Sequence, residues 1–342
     1  MAAVAFWRKV SSTATADNAV VALADPGVIP TTREGIAMPS DSSSARNAVT
    51  GTVFVFLGAA GFSTKSVLAK FAYMHGADAL TVLALRMAFA MPFFIVMAAW
   101  GEFCVEQRVS RRDFALIAML GFIGYYLSSY LDFVGLEYVS AGLERLILFL
   151  YPTVVVLLSC AIAGRRVTKQ EAFALALCYG GAALAFFHET KVEGSNMPLG
   201  AGLIAACTVT YAFYLVLGAD VVKRAGAARF SAYAMIVASV AVLAHFYIAR
   251  GATSLHAPVE VLEISLVMAL VATVFPVFMM SEGLRRIGAS KAAIVSSAGP
   301  VITIAMAYAM LNEPVSAPQI GGTALIILGV LAVSGATEKK RQ

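Results

Sequence analysis

The sequence predicts an all-α membrane protein, with ten transmembrane helices arranged as a 5+5 inverted-topology repeat. Three observations lead there. Of 342 residues, 60% are hydrophobic and 13% charged, against roughly 45–50% and about 25% in soluble domains. Apolar runs of about 20 residues, the length a helix needs to cross a ~30 Å hydrocarbon core, recur ten times along the chain. Basic residues gather beside every second connection, and the chain carries a weak internal duplication.

Residues 1–48 are rich in Ser, Thr, Ala, Asp and Pro and end in Pro39-Ser40-Asp41-Ser42-Ser43-Ser44. They read as a disordered cytoplasmic tail, because so polar a segment cannot bury enough apolar surface to fold. The short apolar stretch Ala19–Ala24 lies between Asp17 and Asp25, which does not suit a cleaved signal peptide. The first span is therefore expected to direct membrane insertion itself. The ten runs fall at about 50–73, 79–99, 114–131, 138–162, 170–187, 199–219, 230–249, 261–281, 290–310 and 319–335. They group into a first five-helix repeat at 49–190, a second at 197–336, and a basic cytoplasmic tail at 337–342.

The charges test that count. With the amino terminus inside, the inner segments hold 19 Lys and Arg, and the outer loops only Lys191 and Arg250. Each inner loop carries three: Arg108, Arg111 and Arg112, for example, or Lys223, Arg224 and Arg229. This is the asymmetry of the positive-inside rule, and a wrong number of spans would scramble it. Both termini are expected on the cytoplasmic face of a plasma (inner) membrane.

A shift of 148 residues lays Gly135-Leu136 on Gly283-Leu284, Ala141 on Ala289, Pro152 on Pro300, Val167-Thr168 on Val315-Ser316 and Gly181 on Gly329. Five spans per copy is odd, so the second copy starts from the opposite side of the membrane. Such inversion is a hallmark of secondary transporters.

These residues, in this order, resemble the drug/metabolite transporter superfamily, of the EamA-domain type with two copies per chain. The resemblance rests on Gly61-Phe62-Ser63 through Lys70, Leu85-Arg86, Gly135-Leu136 to Tyr151-Pro152, Gly283-Leu284 to Gly299-Pro300, and Asn312-Glu313-Pro314-Val315. It covers about residues 50–335. One departure is Arg165-Arg166, where the second copy has Glu313; the orientation rule accounts for it. The resemblance implies a bundle with a central cavity between its halves, moving a small metabolite or drug by alternating access. It implies nothing about which solute.

Charges inside apolar spans are costly and therefore informative. Lys65 lies about 15 residues into span one, roughly 22 Å deep at ~1.5 Å per residue. Arg86, Glu144 and Arg145 lie about six or seven residues past the outer starts of spans two and four, at ~10 Å depth. Four charges thus share one layer, predominantly positive, suited to a carboxylate or other anion held by Arg86 or Arg145, with Lys65 as a point charge. Against this stands a purely structural ion pair, such as Glu144 with Arg86. Glu144 and Arg145 are neighbours about 100° apart on a helix, so only one can point squarely inward. Asp132 and Glu144 are the candidates for proton coupling, with Asp132 expected to sit solvated near the outer interface. From the second half, Tyr211 and Tyr214 are candidate substrate contacts, and Thr208, Thr210, Ser296, Ser297 and Thr303 offer hydroxyls. Pro152 and Pro300, related by the repeat, are the candidate gating bends, as mid-span prolines free a carbonyl and bend the helix.

Other classes find little support. Cys104, Cys160, Cys178 and Cys207 are scattered, and His75, His188, His245 and His256 are isolated, so no metal or disulfide framework is expected. No phosphate loop, nucleophile elbow or zinc motif occurs, so no cofactor and no enzyme activity are expected. There is no basic stripe with stacking aromatics, hence no nucleic-acid partner. The reading is a gradient-driven exporter of a small polar metabolite, amino acid or drug-like compound. Its partners would be that solute, the lipid bilayer and protons as candidate coupling ion. The alternatives are an organic-anion uptake permease, or an intramembrane lipid enzyme or scaffold.

Overall fold

The computed structural model describes residues 41–103, 109–162, 164, 166–189, 196–251 and 257–339. The expectations for residues 1–40 and 340–342, and for Cys104, Arg108, Arg165, Lys191 and His256, lie outside these. Ten helical units follow in order: α1 Asp41–Met74, α2 Ala79–Phe103, α3 Arg111–Leu136, α4 Ala141–Ile162, α5 Lys169–Glu189, α6 Met197–Ala225, α7 Ala227–Arg250, α8 at 259–296, α9 Gly299–Leu311 and α10 Ala317–Lys339. Among the described residues nine segments are long and apolar enough to cross a membrane, and the apolar part of α10, Ala317–Ala332, is a shorter tenth. Large apolar side chains such as Phe56, Val96, Phe187, Ile248 and Leu328 stand exposed on the outside, as lipid-facing surface requires and water-facing surface does not.

The observed helices fall where hydropathy placed them, with two differences. Helix α1 begins at Asp41, inside the stretch expected to be tail; its Ser-rich start and Ala45–Ala48 propagate a helix once the apolar segment nucleates it. The connection expected between spans eight and nine is locally helical, within Phe275–Ser296, yet it doubles back between the two spans, since Ser296 Oγ meets Met280 Sδ at 3.8 Å.

Polar side chains join helix ends at both sides of the bundle. Arg224 pairs with Asp113 at 2.6 Å, and Tyr233 Oη donates to Glu102 at 2.8 Å, all at ends assigned inside. Arg250 pairs with Asp78 at 3.0 Å, the Ala79 amide donates to Glu137 at 2.7 Å, and the Ala141 amide donates to Glu313 at 3.0 Å, all at ends assigned outside.

Packing exchanges the two halves. Helix α1 lies against α8 and α9, as α6 lies against α3 and α4, while α2 packs on α7 and α5 on α10. The closest crossings show the exchange residue by residue. A Cβ on Gly181 would meet the Gly322 carbonyl at 2.5 Å, and one on Gly329 the Ala174 carbonyl at 2.8 Å; these pairs interconvert under the 148-residue shift. Small residues at such crossings let backbones approach without a side chain between them. Local irregularities repeat as well. A π-helical turn occupies Phe122–Leu127 in α3, and another Leu270–Val274 in α8, their starts 148 residues apart. Turns at 149–150 and 297–298 interrupt the helical path just before Pro152 and Pro300.

Candidate functional site

A cavity of about 300 Å³ lies between the halves, walled by α1, α2, α3, α4, α6, α7 and α8. The paired α5 and α10 stand outside it.

Lys65 is the hub of its polar end. Its Nζ donates to Asp132 Oδ2 and, at 2.8 Å, to Glu144 Oε1. Ser66 Oγ donates to Glu144 Oε2 at 2.5 Å. Glu144 is thus fully buried and held at both oxygens, and it pairs with Lys65, not with Arg86 as the structural alternative expected. Asp132 is only 4% exposed, which corrects its expected place in solvent near the interface: α3 continues as helix to Leu136, one turn further than its apolar run suggested, and this carries Asp132 into the bundle. One of its oxygens, Oδ1, is buried without a hydrogen-bond partner.

The arginines differ from this saturated trio. Arg86 Nε donates to Thr273 Oγ1 at 2.8 Å, and the Thr273 hydroxyl in turn donates to the Met268 carbonyl at 3.2 Å. Thr273 sits in the π turn of α8, which turns its hydroxyl toward α2; such bulges often mark functional positions. The Arg86 guanidinium lies over the Phe133 ring at 5.3 Å and Lys65 Nζ over the same ring at 5.9 Å, a favourable use of the ring quadrupole. Arg145 lines the cavity with Nε buried and unpartnered; a Cβ on Gly299 would stand 3.0 Å from its guanidinium. Among the described residues no carboxylate lies in ion-pair range of Arg86 or Arg145. Of the two neighbours on α4, Glu144 turns to Lys65 and Arg145 to the cavity, as their 100° separation demands.

Aromatic side chains form the opposite wall. Tyr211 and Tyr151 line the cavity and meet edge to face at 5.6 Å. Tyr214 is not on the wall: it stacks behind Tyr211 at 5.9 Å and packs against Tyr125 at 4.9 Å, filling the place a side chain on Gly124 would need. No sequence expectation placed Tyr125, Tyr151 or Thr273 on the cavity wall, although Tyr151 belongs to the motifs that carry the family resemblance. The repeat was a usable signal for two of them, since Tyr125 and Thr273 are 148 residues apart and both face the cavity from π turns. Of the expected hydroxyls, Ser296 reaches the cavity, whereas Thr208, Thr210, Ser297 and Thr303 bond backbone carbonyls. Pro152 and Pro300 occupy first helical turns after the breaks in α4 and at the start of α9, where a missing amide is tolerated, and not the middle of continuous kinked helices. Among the described residues no group of three His, Cys, Asp or Glu side chains could hold a metal ion.

The sequence pattern of the EamA-like transporter family matches residues 49–187 and again 198–335. The chain belongs to the EamA-like transporter family. Members similar to it include a Bacillus subtilis (strain 168) protein named "Uncharacterized transporter YcbK", 32% identical over 299 residues that cover 85% of this chain and 95% of the relative. An "Uncharacterized transporter" of Archaeoglobus fulgidus is 25% identical, covering 82% of this chain and 95% of its own length. A solved structure titled "Crystal structure of protein" superposes with a TM-score of 0.59 at 17% identity over 84% of this chain and 98% of that one, a likeness of fold. This EamA-like chain is a multi-pass membrane transporter with two family repeats.

Proposed function

We propose that this transporter is a gradient-driven carrier of the plasma (inner) membrane. It works by alternating access between two inverted halves, both termini cytoplasmic, and exports a small polar metabolite, amino acid or drug-like compound. It transports without catalysing a reaction. The observation that carries the reading is the cavity between the halves, lined by two guanidiniums that form no ion pair with a carboxylate among the described residues. A solute with an anionic group would complete them, Arg145 and Arg86 gripping the charge by charge-assisted hydrogen bonds. Tyr211, Tyr151 and Tyr125 would flank its body, and Tyr214 would support them from behind.

Met280 and Ser296, in contact with each other at 3.8 Å, line the cavity together with the charged layer. The outer ends are tied by Asp78–Arg250, Glu137 on the α2 start and Glu313 on the α4 start. The breaks before Pro152 and Pro300 are the bends about which access would switch. Uptake of an organic anion is the second reading, favoured by the same unneutralised arginines.

Purified protein in liposomes, screened against pooled labelled metabolites with and without a proton gradient, tests transport and its direction. A solute should accumulate with wild-type protein and not with Arg145→Gln protein of equal folded yield. Retained accumulation with Arg145→Gln would overturn the assignment of the site.

A further inference from the structure

We propose that Asp132 is the proton-carrying group of this cavity, and that Lys65 and Glu144 form the fixed pair it works against. The proposal rests on the reading of the chain as a gradient-driven transporter.

Two carboxylates share one ammonium here, and their surroundings separate their roles. Glu144 is fully buried, away from the cavity wall, with Lys65 on one oxygen and Ser66 on the other. It has no free acceptor facing solute or water. Asp132 is on the wall; Oδ2 accepts from Lys65, while Oδ1 is buried and receives no hydrogen bond from a donor among the described residues, and the carboxyl stands within hydrogen-bonding reach of Glu144. A buried carboxylate oxygen without a donor is expensive, and a proton on it is the smallest ligand that relieves the cost.

The step balances simply. An O–H bond forms at Oδ1 with a proton from water on the side to which the cavity opens. Lys65 keeps its three hydrogens and remains bonded to Glu144, so the trio passes from one net negative charge to none. After the halves reorient, the O–H bond breaks and the proton leaves to water on the other side.

The groups facing Asp132 fit this use. From α1 come Lys65 and Tyr73, whose hydroxyl donates to the Phe133 carbonyl at 2.9 Å. Arg86 comes from α2, Glu144 and Arg145 from α4, Cys207 from α6, and Tyr125 lies a few turns back on α3 itself. Counted together, Lys65, Arg86 and Arg145 exceed Asp132 and Glu144 by one positive charge. A proton adds another, and an anion at the arginines removes one. Proton and anion therefore offset each other in the cavity and load together, by the reciprocity that links two ligands of one site; a proton gradient directed inward then draws the anion inward, which is the uptake reading of this same cavity.

Infrared difference spectra of the full-length protein in lipid, recorded between neutral and acidic pH, test the proton site with no solute present. The carbonyl stretch of protonated carboxyls should lose one group's share in Asp132→Asn and keep it in Glu144→Gln. Should Asp132→Asn fail to fold, Asp132→Glu should displace that component instead of removing it. An unchanged band in both Asp132 variants, or its loss in Glu144→Gln alone, would overturn the proposal. In liposomes with an imposed pH gradient, the wild type should accumulate a labelled carboxylate from the pool while Asp132→Asn only equilibrates it; accumulation by Asp132→Asn equal to wild type would overturn the coupling role. If the wild type moves no solute at all, the transport reading fails while the infrared result still decides the proton site.

Discussion

The two halves share a backbone and divide the chemistry. Their crossings exchange at Gly181 and Gly329, their π turns start 148 residues apart, and their breaks precede equivalent prolines. Yet every charge on the cavity wall belongs to the first half: Lys65, Arg86, Asp132 and Arg145. The second answers with Tyr211, Thr273 and Ser296, and at the position equivalent to Asp132 with Met280. A duplicated backbone thus supplies a two-fold frame, and unequal side chains give that frame a charged end. A copy of the charges in both halves would double a burial cost that is already high.

Breaking the trio tests the asymmetry most severely. Lys65→Met leaves two buried carboxylates without their cation, at a cost of about 3–5 kcal/mol, and thermal unfolding in detergent should show it as collapsed folded yield. The triple variant with Asp132→Asn and Glu144→Gln should recover most of that loss. Second in size is Arg145→Gln. Its Nε has no partner to lose, so folded yield should hold while the apparent affinity for a transported anion falls roughly ten- to hundredfold, from the ~1.5–3 kcal/mol of a charge-assisted hydrogen bond. A loss of yield with transport intact would make Arg145 structural.

Symmetry of the backbone predicts equal damage at equivalent crossings. Gly181→Leu and Gly329→Leu should each destabilise by about 1–3 kcal/mol through overpacking, measured as matching falls in melting temperature. Gly180→Leu, whose Cβ meets nothing within 4 Å, should change little. Unequal penalties for Gly181 and Gly329 would break the two-fold comparison. The smallest effect belongs to Thr273→Val, which removes the hydroxyl that crosses from the second half to Arg86. About 1 kcal/mol should appear as a roughly fivefold weaker anion affinity, with the fold intact.

Much of this was legible beforehand, for particular reasons. The convergence of Lys65, Arg86, Glu144 and Arg145 followed from helix rise alone, because depth along a spanning helix is set by residue count. The partners did not follow. Glu144 pairs with Lys65 and not Arg86, and Asp132 is buried because α3 continues past its apolar run to Leu136, neither of which apolar runs encode. Tyr125 and Thr273 were hidden because a π turn shifts the facing of a helix without leaving a compositional mark. Tyr214 looked like a wall residue by spacing and is a second layer, since Gly124 opposite admits its ring.

The sequence by itself determined that this chain spans a membrane, how often, and that it is built twice. Insertion of each apolar run is a local free energy, and these sum along the chain. Which ammonium neutralises which carboxylate, and which arginines are left facing open space, was decided only when ten helices packed. In a low-dielectric interior those pairings depend on contacts of a few ångströms between residues far apart in sequence, and nothing short of the assembled bundle specifies them.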